Sequence, residues 1–376
     1  MTKYLALHPA GLFLFDENGE LVKFEALPED PEIIVKLVEE GLSELVAKLI
    51  KGFEGEEVIV NTQPLKEAAE SSGFKSSLKP SHPIFVSLRR SPHKVYEFIG
   101  KGKSLKEYRE FVRNLGVELT RRRIKEALSS PDQQVMKIVD YIDHVNKSLN
   151  ILAPAIREWY SIYFPELNDL VEDHLLFMKI IASEPNRKNL SDELLEELGV
   201  PKDLREKILQ SSRDSVGYDA TEHEYDAVKK VAQEWLDLYD TRVEAERFLE
   251  NLMKSFAPNL SAVVHPIVAA RLIAIAGGLY RLASLPASSI QILGAHKAIF
   301  MHLTKGTKPP KHGVLFQAKE VRTAPKRLRG KIARLLATKI AIAARVDVFG
   351  GGKYIGDELR KEIEERIKEI YRGKEE

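Results

Sequence analysis

Few side chains in this 376-residue sequence have the type and spacing that covalent chemistry needs. Ten histidines are scattered from His8 to His312, and none forms the His-x-x-x-His pair that sets two imidazoles on one helical face for a metal. There is no cysteine, which removes disulfides, thiol nucleophiles, cysteine-held iron-sulfur clusters and every cysteine zinc site. No Gly-x-Ser-x-Gly elbow or dinucleotide fingerprint occurs. Gly350-Gly-Gly-Lys353 lacks the spacing of a phosphate loop and follows a helical run, so it reads as a joint at a helix end. His8-Pro9-Ala10-Gly11 is a poor version of the Gly-rich turn that would hold a methyl donor. The expectation is a binding and assembly protein with no catalytic residue, no metal and no cofactor of its own.

Ammonium and guanidinium groups, by contrast, are concentrated. The formal net charge is only +1, with 57 Lys and Arg against 56 Asp and Glu. Residues 253 to 349 nevertheless hold 16 basic residues and just two acids, Glu320 and Asp347, for a net of +14. Residues 1 to 252 sum to −12 and residues 350 to 376 to −1. A block without counter-charges of its own is suited to a polyanion, and nucleic acid is the natural one. Within it, Lys305-Gly-Thr-Lys-Pro-Pro-Lys-His-Gly313 reads as a rigid exposed turn carrying three lysines, and Arg322 to Arg329 crowds further cations together.

The elements that must present these charges fall into three stretches. The first 90 or so residues alternate strand and helix signals. Tyr4 to Leu7 and Gly11 to Phe15 read as strands, Asn18-Gly19 as a hairpin turn, Pro31 as the start of one helix running through Leu49, and Val58 to Val60 and Ile84 to Val86 as buried strands. The middle carries two apolar seams at alternating three and four spacing. Val135, Ile138, Ile142, Val145, Leu149 and Leu152 begin the first, which continues to Tyr163, and Pro154 predicts a kink rather than a break. The second runs from Val228 to Phe256, with Arg242 its one charged member. Such seams suit an antiparallel helical hairpin, and either an intramolecular pair or self-association accounts for them. Shorter helices are expected between them, over Ser191 to Leu198 and Pro201 to Leu209. Beyond Phe256 the chain reads as helical. The apolar run from Leu260 to Leu285 is cut by His265, Arg271 and Arg281, so it suits buried helices better than a membrane span, and the first residues do not form a secretory signal.

Several ordered motifs carry a family resemblance. Ala257-Pro-Asn-Leu-Ser-Ala-Val263, Ala276-Gly-Gly-Leu279, Ser289-Ile-Gln-Ile-Leu-Gly-Ala295, Lys308-Pro-Pro-Lys-His-Gly313 and Arg329-Gly-Lys-Ile-Ala-Arg334 closely resemble the Nop domain. Arg157-Glu-Trp-Tyr-Ser161 and Phe164-Pro-Glu-Leu167 resemble the coiled-coil part of the same family, the archaeal Nop-family core proteins of box C/D small ribonucleoproteins. The resemblance implies an α+β multidomain chain, mainly α. Its parts would be a small N-terminal α/β domain (1–120) binding fibrillarin, a long antiparallel coiled-coil hairpin with a helical insert (121–252) forming a homodimer, and an all-α Nop domain (253–376). That last domain would grip a box C/D guide RNA together with a kink-turn-binding ribosomal-type protein. Methyl transfer to a ribose 2′-hydroxyl, with S-adenosylmethionine as donor, would belong to fibrillarin. Gly294-Ala-His296-Lys297, Met301 and His265 depart from the usual pattern, where an acid, an Arg and a Gly are common.

Lys297, Lys305, Lys308, Lys311 and His312 are the leading RNA candidates, joined by Lys326, Arg327, Arg329, Lys331 and Arg334. Their chemistry suits phosphates and the shape of an A-form stem rather than base edges. The same resemblance offers Val135, Ile138, Ile142, Val145, Leu149 and Leu152 as dimerisation residues. Gln291 and Asn259 are expected to cap or pack. Two other readings compete: an RNA methyltransferase in its own right, and a splicing-type Nop protein without a methyltransferase partner. An archaeal cytoplasm is the expected setting, with no membrane partner. The sequence ends on Arg372-Gly-Lys-Glu-Glu376 in place of the long charged tail of the eukaryotic nucleolar relatives.

Overall fold

The structure, a computed structural model, describes residues 2–53 and 56–372, so Gly373 to Glu376 of the expected short tail lie outside the described residues. The chain divides into two compact units, residues 1–128 and 129–376. In the first, strands β1 (Thr2–His8), β2 (Gly11–Phe15) and β3 (Leu21–Ala26) form an antiparallel meander. Helices α1 (Pro31–Glu40) and α2 (Leu42–Ile50) follow, then β4 (Glu57–Val60), α3 (Gln63–Ser71), β5 (Ser76–Leu78), α4 (Pro83–Arg90) and α5 (Leu105–Ser129). The sheet order is β3-β2-β1-β4-β5, with β4 parallel to both its neighbours.

Strand periodicity explains why β2 is buried throughout. Leu12 and Leu14 face α2 and α3, where Val46, Leu49 and Leu65 meet them, while Phe13 and Phe15 face Phe85, Val95 and Tyr96 on the other side. The Asn18-Gly19 turn forms as expected: Gly19 takes φ +82°, and Asp16 Oδ1 accepts from the Asn18 and Glu20 amides at 2.9 and 2.8 Å. Two expectations fail. The single helix from Pro31 divides at Gly41 into α1 and α2. Ile84 to Val86 is not a strand but part of α4. Pro83 opens that helix, where its missing N–H costs nothing, and only Phe85 of the three is fully buried. The strand is instead Ser76–Leu78, a polar run that pairs with β4.

The second unit begins with α6 (Pro131–Tyr160), which continues unbroken through Pro154. Four short helices follow, α7 (Pro165–Leu170), α8 (His174–Ser183), α9 (Asp192–Glu197) and α10 (Lys202–Asp214), and then α11 (Glu222–Phe256). The two long helices run antiparallel: Trp235 Nε1 donates to the Leu149 carbonyl at 3.1 Å and Arg242 Nη1 to Asn146 Oδ1 at 3.2 Å. At the far end, α8 to α10 complete a core around Tyr160, Phe164, Phe177 and Trp235. Buried Arg187 holds the chain crossings there, donating to the carbonyls of Tyr163, Gly217 and Tyr218 and to Asp219.

At the near end, Val135, Val139, Leu249 and Met253 join the core of the remaining helices. These are α12 (Pro258–Val263), α13 (Pro266–Ala276), α14 (Leu279–Ser284), α15 (Ala287–Ile292), α16 (His296–Lys305), α17 (Lys319–Arg322), α18 (Arg329–Phe349) and α19 (Gly356–Arg372). Asn259, 1% exposed, ties α12 to the joint after α18, bonding Asp347 and the Lys353 carbonyl and accepting from the Ile355 amide. That joint is the glycine run expected to end a helix, with Gly351 and Gly352 at positive φ. The boundaries expected at 120/121 and 252/253 fall inside α5 and α11. Among the described residues no helix is long and apolar enough to cross a membrane.

The proposed dimer residues require a correction. Val135, Ile142, Val145 and Leu149 are buried inside the chain against partners from α11 and beyond, and Ile138 is half-buried beside them. They hold the hairpin together and are unavailable to a second copy while it stays closed. Only Leu152 of the six is exposed.

Candidate nucleic-acid interface

The Lys-rich turn between α16 and the helical turn Val314–Gln317 is fastened by its own backbone. The Gly313 amide donates to the Gln291 carbonyl at 3.0 Å, the Val314 amide to the Leu293 carbonyl at 2.8 Å, and Gln291 Nε2 to the Lys311 carbonyl at 2.8 Å. A side chain at Gly313 would overlap the Leu293 carbonyl oxygen, so only glycine allows this close approach. Gln291 is thus a packing residue, as expected. Pro309 and Pro310 stiffen the exposed part of the turn, and Lys308 and Lys311 extend from it into solvent.

Opposite the turn lies the N-terminus of α18. Lys308, Lys311, Arg327, Lys331 and Arg334 surround an open groove of about 440 Å³ between the two. The aliphatic stem of Lys311 runs alongside Gly330, where an added methyl would meet it at ordinary van der Waals distance. The first turn of α18 contains no acid, and its cap residue, Leu328, supplies no side-chain acceptor. The positive end of the helix dipole therefore reinforces five side-chain cations, an arrangement that attracts phosphate.

The nearby acids do not cancel this charge. Glu320 pairs with Arg360 at 2.7 Å, and Asp347 accepts from the Asn259 and Leu260 amides at the start of α12. Of the sixteen cations in the block, only Arg271, with Asp143, and Lys339, with Glu362, form ion pairs with acids among the described residues.

Five of the ten sequence candidates therefore converge on one groove, and the other five do not line it. Lys297 and Lys305 are exposed near opposite ends of α16, and Lys326 is exposed before α18. His312 and Arg329 serve the fold. The His312 ring stacks on Phe316 at 4.9 Å, and the Arg329 guanidinium lies 5.2 Å from the same ring while its Nε donates to the Ala324 carbonyl. Burial, then the charges of Arg329 and Lys311, lowers the His312 pKa below the ordinary histidine value, so it is neutral at pH 7 and adds no charge.

Sequence reasoning missed the apolar side of α16, where Phe300 is 65% and Leu303 76% exposed and no residue is buried. The signal was present as a helix that contributes nothing to the core. Of the three departures, His296 opens α16, Met301 lies on it, and His265 caps α13 by accepting from the Ile267 amide. Among the described residues no group of three or more His, Asp or Glu side chains could hold a metal ion.

Residues 141–369, more than half of the chain, match the family described as "Nop: snoRNA binding domain, fibrillarin", and residues 2–125 match the archaeal Nop5/56-related N-terminal domain. An uncharacterized NOP5 family protein of Methanocaldococcus jannaschii is 35% identical over 98% of this chain and 86% of its own length. Nucleolar protein 58 of Schizosaccharomyces pombe is 35% identical over 69% of this chain, and nucleolar protein 56 of Bos taurus 34% identical over 67%. This chain spans 52% and 43% of those two proteins. A solved fibrillarin/Nop5p complex is similar at a TM-score of 0.38 and 23% identity, covering 82% of this chain and 92% of that one. With its N-terminal and Nop segments both matched in order, and a relative aligned along nearly its whole length, the chain belongs to the Nop family, in its NOP5 branch.

Proposed function

We propose that this chain is the scaffold of a box C/D guide ribonucleoprotein, joining fibrillarin to a guide RNA and its kink-turn-binding ribosomal-type protein for ribose 2′-O-methylation. The groove between the fastened Lys308–Lys311 turn and the N-terminus of α18 carries this reading, because its five cations converge and none is ion-paired to an acid among the described residues. The family descriptions support it, naming snoRNA and fibrillarin for the matched segment. In this reading the chain is non-catalytic. S-adenosylmethionine belongs to fibrillarin, the first unit docks that methyltransferase, and the particle works in an archaeal cytoplasm. The chain acts as a homodimer through the outer side of the hairpin, where Ile151, Leu152, Trp159 and Ile162 remain exposed.

The RNA grip is tested by titrating the full-length protein into a kink-turn RNA already bound by its ribosomal-type protein, across a salt series. Replacing Lys308, Lys311 and Arg327 with alanine should weaken binding for every guide sequence and reduce the log–log salt slope by about one for each phosphate that is no longer neutralised. An unchanged affinity with an unchanged slope would reject the groove as the RNA site.

A further inference from the structure

The end of α18 remote from the groove carries an aromatic pair that faces solvent. Phe349, the last residue of α18, meets Tyr280 of α14 with ring centroids 5.7 Å apart and planes at 70°, an edge-to-face contact. Each residue is 63% exposed, and neither joins the core of the helices around it. Arg345, one turn before Phe349, holds the two helices together. Its Nε donates to the Ala283 carbonyl at 3.1 Å and its Nη2 to the Leu285 carbonyl at 3.4 Å, which ties α18 to the end of α14 and so fixes the two rings relative to each other. Those bonds use two of the five guanidinium N–H groups, and Arg345 remains exposed. Arg281, beside Tyr280, and Lys353, just beyond Phe349, are exposed as well. None of these three cations is ion-paired to an acid among the described residues. The acids closest to the two helix ends are already engaged: Asp132 Oδ1 accepts from the Leu279 amide at 2.7 Å, and Asp347 serves the start of α12.

We propose that Tyr280 and Phe349 form a stacking platform for an unpaired base of single-stranded RNA, with Arg281, Arg345 and Lys353 available to the phosphates of the same strand. Every base has a π face, so aromatic rings combined with cations bind a single strand without reading its sequence. The side of a paired stem does not fit, because its bases are stacked within the helix and present only their edges. Three cations without acid partners complement a polyanion, which favours RNA over the apolar side chain of a protein. The platform is separate from the groove described above. With 21 residues, α18 places its two ends about 30 Å apart. One end gathers cations for the phosphates of a stem, and the other offers rings to an unpaired base. The platform does not depend on the groove being an RNA site.

The test uses the full-length protein and two short strands of equal length, oligoadenylate and the same ribose-phosphate chain without bases, titrated by fluorescence anisotropy. Their charge is the same, so the difference in affinity isolates the contribution of the bases. Oligoadenylate is expected to bind roughly tenfold tighter or more, within the range that stacking one base on an aromatic ring supplies. Tyr280→Leu with Phe349→Leu keeps apolar surface but removes both π faces. It should bring the two strands to within about threefold of each other, with the salt slope unchanged because no phosphate contact is lost. Tyr280→Leu alone, expected to reduce the preference about threefold or more, serves if the double variant folds poorly. Replacing Lys308, Lys311 and Arg327 with alanine should leave the preference intact, which separates a failure of the groove from a failure of the platform. Equal binding of the two strands by the unaltered chain, or a preference that survives loss of both rings, would overturn the proposal. So would a double variant that keeps its preference but changes its oligomeric state in sedimentation, which would assign the pair to a contact with a second copy.

Discussion

His8 shows how much one side chain can couple to its surroundings. Its imidazole is neutral because burial disfavours the charged form, which lowers the pKa from 6.5 to about 4. The unfolded chain therefore binds a proton more readily than the folded one between these values. The stability this group contributes is present above pH 6.5 and lost as pH falls toward 4, roughly 3 kcal/mol across the window for a shift of this size. In His8→Asn the amide oxygen can still accept from Ala10 but carries no titrating group. Its unfolding midpoint should change less with pH between 6.5 and 4 than that of the unaltered chain, as followed by far-ultraviolet circular dichroism. Parallel slopes would mean that other groups dominate acid sensitivity. None of this was legible in the sequence, where His8 figured only in a poor donor-binding turn. The aromatic box that buries it is assembled from residues 13, 96 and 108, too far apart along the chain for any local pattern to reveal.

Among the elements, the Lys-rich turn depends most on a single position. Gly313 lets its backbone lie against the Leu293 carbonyl, and the bonds from Gly313 and Val314 fix where Lys308 and Lys311 emerge. Gly313→Ala should displace the turn and lower affinity for the kink-turn complex at least tenfold, about 1.4 kcal/mol, while helix content stays unchanged. Near-normal affinity in that variant would show that the turn need not be held. The composition of the turn was plain in the sequence, and so were the two long helices, because spacing of three and four over nine positions suits little else. What spacing could not decide was whether the seam closes within one chain; Trp235 on Leu149 and Arg242 on Asn146 show that it does. The errors have local causes as well. A run of three apolar residues suits a strand or a helix equally, and at Ile84 to Val86 the preceding Pro83 decides for a helix.

At the scale of the whole molecule, charge is divided between regions that have different tasks. The division was readable from counting alone, but the groove was not, because Lys308 and Arg327 meet only after α16, α17 and α18 have packed. Self-association belongs to this scale too. In the proposed homodimer, with the inner seam consumed by the hairpin, the second copy is expected on the outer side, where Ile151 is 72% and Ile162 55% exposed. Sedimentation of the full-length protein should therefore give a dimer at micromolar concentration, and Ile151→Glu with Trp159→Glu should shift it to monomer. A dimer that survives both changes would place the contact elsewhere.

Under the proposed function, the fastening of the basic turn also shapes the thermodynamics of RNA docking. Cations on a slack loop must be gathered at the moment of contact, and the ordering appears as an unfavourable entropy and a large negative heat-capacity change. Here Gln291 and Gly313 have completed that ordering during folding, with both partners supplied by the same unit. RNA docking on this groove is then expected to be mainly an exchange of counterions for phosphates, with a small heat-capacity change and a temperature dependence set by the RNA's own rearrangement rather than the protein's.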